Sequence, residues 1–440
     1  MPSMELVAEL AAARERFIQR NPRSRDAHEI AAAAMPGGNT RTALFYGPFP
    51  VTMVAGAGCR MTDLDGHEYV DMLGEDTAGL YGHSNPVIRA AIDTALDGGW
   101  NFGSQGTNEA RLAQLICDRF PTIERVRFTN SGTEANLMAL GTARAQTGRS
   151  RILVFDGAYH GGVLSFGGGG IAVNAPFDWL LGTYNDTAST EALVEANASE
   201  LAAILVEPMI GSGGCIPATA EFLTTLRRVA DQSGALLIFD EVMTSRMSAG
   251  GMQQRLGIRA DPTTLGKYIG GGMSFGAFGG RADLMAMYDP REPGSTPHAG
   301  TFNNNVLSMA AGYAGMSQIF TADAADALFE RGETLRANLN TLGESRRSRL
   351  RWTGLGSLMT AHFQLEPISA PGDAPPQPEL SELFHLSMLE RGYYLARRGM
   401  LALSLEIGQA EIEGFTAAVD GFLTDYADLV GEPIGVSATA

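Results

Sequence analysis

Short continuous apolar runs alternate with segments of helical periodicity through the middle of the chain. RVRFT (125–129), RILVF (151–155), LAAILVE (201–207) and ALLIFDE (235–241) have the length of strands and little polar alternation. That pattern predicts strands buried on both faces, as in a mostly parallel sheet covered by helices. Between them, residues 134–146 and 220–232 repeat apolar positions at helical spacing. Nearer the start, MTDLDGHEYVD (61–71) reads as a hairpin turning at Asp65-Gly66. A helical stretch over 304–330 then leads into a different pattern. LRANLNTLGE is helical, GSLMTAHF alternates like a strand, and EPISAPGDAPPQPEL is a proline-rich loop. A helix at 380–391, a strand near 399–405 and a helix from 409 complete an α+β tail. The fold class is therefore α/β, divided into an N-terminal segment (1–62), a large sheet domain (63–325) and a small α+β domain (326–440). The amphipathic N-terminal stretch is expected to pack with the small domain.

Composition narrows the function. A 440-residue chain with 45% hydrophobic and 18% charged residues is globular in profile, and its formal charge of −17 disfavours nucleic acid and anionic membrane surfaces as partners. Cys59, Cys117 and Cys215 are widely spaced and odd in number, so neither a disulfide framework nor a zinc cluster is expected. No apolar run approaches the roughly 20 residues of a membrane-spanning helix. A cytoplasmic protein without a metal centre is the expectation.

One residue stands apart in this composition. Of the 32 Lys and Arg residues, Lys267 alone is lysine. Arginine codon bias accounts for the scarcity, but an amine can be deprotonated and a guanidinium cannot, so nucleophilic and proton-transfer roles require lysine. A second feature is the turn Asn130-Ser131-Gly132-Thr133 between a strand and a helix. Its backbone N–H groups and the hydroxyls of Ser131 and Thr133 suit a phosphate, although an ordinary helix cap has the same sequence. A third is Asp240 at the end of ALLIFD, at the sheet edge where α/β proteins bind ligands. A lysine, a strand-end carboxylate and a phosphate cradle are together what pyridoxal phosphate requires.

With these residues in view, the chain resembles the class-III aminotransferases of pyridoxal-phosphate fold type I. The stretches MPGGNTRTALFYGPFP, FTNSGTEANLMAL, YHGGVL, VEPM, FDEVMTSR, TTLGKYIGGGMSFGAFGGR and GTFNNNV carry the likeness. Within the family it falls in the branch that contains glutamate-semialdehyde aminomutase, and most resembles the β-phenylalanine aminotransferases. The resemblance implies that Lys267 bonds pyridoxal 5′-phosphate and that Asp240 partners its ring nitrogen. Ser131, Gly132 and Thr133 would hold the phosphate and Tyr159 would stack on the ring. Thr301 would reach the phosphate from a neighbouring subunit, which implies a homodimer with shared sites. His160 and Glu207 fall in family motifs with supporting roles.

The same resemblance assigns substrate carboxylates to Arg41 and Arg398, because a planar guanidinium binds a carboxylate through two hydrogen bonds. Arg397 competes with Arg398, and strand alternation would send the two to opposite faces. Tyr46, Phe49 and Tyr81 either flank an aryl side chain or belong to the core. The implied reaction moves the amino group of a β-amino acid, aromatic or aliphatic, to a keto acid such as 2-oxoglutarate or pyruvate. The alternative is the intramolecular transfer of a glutamate-semialdehyde 2,1-aminomutase. A catalytically silent binding protein on the same fold is a further alternative, which the retained lysine opposes.

Overall fold

Side-chain alternation along buried strands splits the core around the central sheet into two layers. In the computed structural model, which describes residues 2–431, a seven-stranded sheet lies between helices. In chain order its strands are β1 (Arg125–Thr129), β2 (Arg151–Phe155), β3 (Asp178–Gly182), β4 (Leu201–Val206), β5 (Leu236–Asp240), β6 (Pro262–Gly266) and β7 (Gly276–Gly280). They lie in the order β1-β7-β6-β5-β4-β2-β3, and only β7 runs antiparallel to its neighbours. Leu153, Phe155, Ile204, Val206 and Phe239 pack into one core layer, while Ile152, Val154, Ala203, Leu205 and Ile238 pack into the other. Both faces being apolar is why these strands read as continuous runs.

Helix ends follow local chemistry. The Gly132–Thr147 helix begins at Ser131, whose hydroxyl accepts the Glu134 N–H at 3.1 Å, and stops at the left-handed Gly148. Ala220–Ser233 has the same plan, with Thr219 at its start and Gly234 at its end.

The fold class is as expected: α/β with a mostly parallel central sheet and a smaller α+β unit. That unit has a three-stranded antiparallel sheet of Leu350–Leu355, Leu358–Phe363 and Met400–Ala402. Helices Pro378–Glu390 and Gln409–Asp425 pack around Trp352, Phe384, Phe415 and Phe422.

Several local expectations differ from what forms. The stretch over 304–330 is not one helix. It comprises Val306–Ala314, a wide turn to Ile319 and a new helix, Ala322–Ser345, capped by Thr321. That last helix spans residue 326. The hairpin does form, with Arg60 opposite Val70 and Met61 opposite Tyr69. Its second strand, Glu68–Asp71, pairs in parallel with Tyr393–Tyr394 from near the C-terminus. The N-terminal helix Met4–Arg20 buries Leu6, Leu10, Ala13 and Phe17, and its Arg14 pairs with Glu382 of Pro378–Glu390 at 2.6 Å. Tyr46 and Phe49 pack around Phe17, and Tyr81 lies against Tyr268. All three are buried, so the core account of these aromatics is the one the structure bears out. Among the described residues, no helix is long and apolar enough to cross a membrane.

Candidate active site

The C-terminal ends of the parallel strands gather the chemically distinctive residues at one edge of the sheet. Asp240 is the last residue of β5, and its neighbour in register on β6 is Thr264, three residues before Lys267. The Asp240 carboxylate is buried and fully engaged. Oδ2 lies 2.8 Å from His160 Nδ1 and accepts the Asn136 side-chain N–H at 2.8 Å, while Oδ1 accepts the Val242 N–H at 3.0 Å. Asn136 also donates to the His160 carbonyl and accepts from the Thr264 hydroxyl at 2.7 Å. It therefore ties together the helix after β1, the loop after β2 and β6. A carboxylate held by this many partners is fixed in position.

Lys267 follows β6 directly and sits in the left-handed region, with φ of +54°. Its Nζ donates to the backbone carbonyl of Asp76. Burial pushes the Lys267 amine down to about 8, against the opposing pull of Asp76, Asp240 and Glu207. Such an amine is neutral in a large fraction of molecules near pH 8, which an exposed lysine is not.

The helix end beneath β1 is packed by close approach. A side chain on Gly132 would meet Val242 at 2.8 Å, and one on Gly161 would meet Thr133 Oγ1 at 2.2 Å. Thr133 Oγ1 in turn accepts the Gly162 N–H at 3.3 Å. Tyr159 is 47% exposed, and its N–H donates to Glu207 Oε1 at 3.0 Å. Glu207 also accepts from the Gly211 N–H, and burial raises its carboxyl to about 7. Its neighbour in kind, Glu241, turns away from this cluster to hold the N–H groups of Met252 and Gln253. Thr301 lies on an exposed turn whose Asn303 accepts a hydrogen bond from Asn130 at 3.0 Å.

Two arginines reach the same place from distant parts of the chain. Arg41 donates to Glu75 at 2.8 Å and lies 3.5 Å from Asp76 Oδ2, whereas Arg398 donates to Asp76 Oδ1 at 3.1 Å. Arg397 points elsewhere and pairs with Glu382 at 3.1 Å. Strand alternation is not what separates the two. They occupy a turn closed by the Gly399 N–H on the Ala396 carbonyl, and the strand begins only at Met400. Beside Arg41 and Glu75 opens a cavity of about 630 Å³ that extends to Asp71, His83 and Tyr394.

Asp76 and Asn136 carried no sequence signal, yet both are central. Asp76 belongs to Gly74-Glu75-Asp76-Thr77, in which every φ is positive (53°, 50°, 49° and 83°). For the three non-glycine residues this costs on the order of 1–2 kcal/mol each. The conformation is held by Asp71 Oδ1, which accepts the N–H groups of Leu73 and Gly74 at 2.9 Å. The buried Arg246 donates to the Thr77 and Leu403 carbonyls.

The residues present fit pyridoxal phosphate. A neutral-prone amine, a buried and positioned carboxylate and a hydroxyl-bearing helix end meet at one edge, and His160 Nε2 is buried without a partner. Known proteins give the same reading. A model of the family Aminotransferase class-III matches residues 43–167 and 180–399. The β-phenylalanine transaminase of Variovorax paradoxus is 51% identical over 422 residues, which is 96% of this chain and 97% of that protein. A glutamate-1-semialdehyde 2,1-aminomutase of Sorangium cellulosum is 36% identical over 394 residues, 85% of this chain and 90% of that one. The crystal structure of a β-phenylalanine aminotransferase from Variovorax paradoxus superimposes with a TM-score of 0.96 at 50% identity, covering 97% of this chain and 99% of that one.

Proposed function

The chain belongs to the class-III aminotransferases, pyridoxal-phosphate enzymes, and from that premise we propose that it moves the amino group of a β-amino acid to a keto acid. The observation that carries the substrate reading is the convergence of Arg41 and Arg398 beside Lys267. In a β-amino acid the amine stands one carbon further from the carboxylate than in an α-amino acid. Donor and acceptor must therefore seat their carboxylates differently around one reacting carbon, and two guanidinium groups at different positions meet that need. The likeness to the β-phenylalanine transaminase supports an aryl-bearing donor.

Pyridoxal phosphate, when bound, supplies a ring that draws electrons from the substrate carbon. Ser131, Gly132 and Thr133 would hold its phosphate, and Tyr159 would lie against the ring. Asp240, fixed by Asn136, His160 and the Val242 N–H, would keep the ring nitrogen protonated. Lys267 would bond the cofactor and, once freed, carry the proton removed from the substrate carbon. Thr301 of the partner subunit would complete the phosphate site, which makes the working unit a homodimer. The chain's composition suits the cytoplasm.

The test is a panel of α- and β-amino acids against 2-oxoglutarate and pyruvate. Transfer from β-phenylalanine to either acceptor is expected. Conversion of glutamate semialdehyde with no acceptor, and no transfer from any β-amino acid, would establish the aminomutase reading instead.

A further inference from the structure

The side chain that engages both substrate arginines is an acid of the protein itself. Asp76 accepts from Arg398 at 3.1 Å with one carboxylate oxygen and faces Arg41 at 3.5 Å with the other. Its own carbonyl accepts from Lys267 Nζ, so this carboxylate lies within one residue's reach of the reacting amine. The loop has little freedom to withdraw it. Four successive left-handed residues, Gly74 to Thr77, are pinned by Asp71 at one end and by Arg246 at the other.

Charge balance follows from these pairs. Arg41 and Arg398 contribute two positive charges, and Glu75 and Asp76 contribute two negative ones. Glu75 is 62% exposed and strongly screened, whereas Asp76 is 23% exposed and acts at shorter range through less water. The charges of these four side chains thus balance before any substrate enters. A monocarboxylate adds one negative charge to this balance, and a dicarboxylate adds two beside the Asp76 carboxylate.

We propose that Asp76 is a built-in carboxylate that competes with the substrate for Arg41 and Arg398, and that it selects monocarboxylic over dicarboxylic substrates. This rests on the aminotransferase reading above and sharpens it, since the favoured keto acid acceptor becomes one of the pyruvate type. An entering carboxylate takes over one arginine while Asp76 retains the other. A second carboxylate on the same molecule finds no free guanidinium and meets the Asp76 charge.

The test uses the holoenzyme, with Asp76→Asn removing the charge and Asp76→Glu keeping it; both leave the main-chain carbonyl facing Lys267. Two ratios are read: kcat/KM for 2-oxoglutarate over pyruvate with one amine donor, and calorimetric affinity for the unreactive glutarate over propionate. Asp76→Asn is expected to raise both ratios about tenfold, while Asp76→Glu leaves them within about twofold of the starting values. Equal ratios in the original protein and Asp76→Asn overturn the proposal, as does the same rise in both variants. If Asp76→Asn does not fold, the unmodified enzyme decides: glutarate binding more than tenfold tighter than propionate overturns the idea, and comparable binding supports it. A protein that transfers no amino group from β-amino acids, yet shifts its glutarate preference in Asp76→Asn, loses the function reading and keeps this one.

Discussion

Lys267 combines two properties that arginine cannot supply, a nucleophilic lone pair and a proton that can leave near neutral pH. Lys267→Arg preserves the positive charge, and turnover should nevertheless fall at least about 10³-fold, within the range set by loss of a positioned base. Borohydride reduction followed by peptide mapping should fix the cofactor on Lys267 in the original protein and nowhere in the variant. The sign of the pH effect follows from the lowered amine. Attack on the cofactor aldehyde needs the neutral form, so the rate at which cofactor-free protein takes up pyridoxal phosphate should rise with pH and level off above about 8. A limb centred above pH 10 would mean that burial does not depress this amine. Lysine scarcity, the strand-end Asp240 and the Ser131–Thr133 turn were all legible in the sequence, because each rests on chemistry local to a few residues. Asp76 was not, because GEDTAG is an unremarkable loop until residues 41 and 398 are brought to it. Asn136 was equally silent, since its value comes from joining a helix, a loop and a strand that only tertiary structure brings together.

Among the elements, β7 packs directly against the Ser131 turn and carries little strand signal of its own. GAFGG has glycine at three of five positions, a composition that disfavours strands and disguises this one. Its reason is spatial. A side chain on Gly276 would come within 2.1 Å of the Ser131 carbonyl and 2.4 Å of Thr129 Oγ1, so only glycine lets β7 lie against the turn after β1. Gly276→Ala should therefore destabilise the protein by about 1–3 kcal/mol, as overpacking does, and loosen the phosphate turn. Denaturant unfolding and cofactor titration would register both effects, and unchanged affinity for pyridoxal phosphate would separate the turn from the site. The long apolar strands β2, β4 and β5 were readable because burial on both faces leaves no polar interruption. The turn at Arg397-Arg398 has the sequence pattern of a strand start because the apolar run that follows it, MLAL, begins only two residues later.

At the scale of the whole molecule, the site draws on residues separated by more than 350 positions. Glu68–Asp71 pairs with Tyr393–Tyr394, and Arg14 reaches Glu382. Local patterning cannot announce such pairings, so a boundary drawn near residue 63 from sequence falls inside a hairpin whose sheet is completed from the C-terminal end. A homodimer with exchanged Thr301 residues makes a prediction that no single-chain enzyme would fulfil. Thr301→Ala should weaken cofactor binding about tenfold, the effect of one hydrogen bond to a charged group. Co-expressed with Lys267→Arg, it should give mixed dimers in which one site has both residues intact. Activity at limiting cofactor should then exceed the sum of the two parents, whereas simple additivity would show that each site is built from one chain.

The solitary lysine has a practical consequence as well. Within these 440 residues, reagents that acylate amines meet one side-chain target, and it is partly buried, hydrogen-bonded to the Asp76 carbonyl. With the cofactor bonded to Lys267, the site itself is protected from such reagents. Acylation should therefore spare the activity of cofactor-loaded enzyme and abolish that of cofactor-free protein, a contrast that turnover measured after treatment and reconstitution would show.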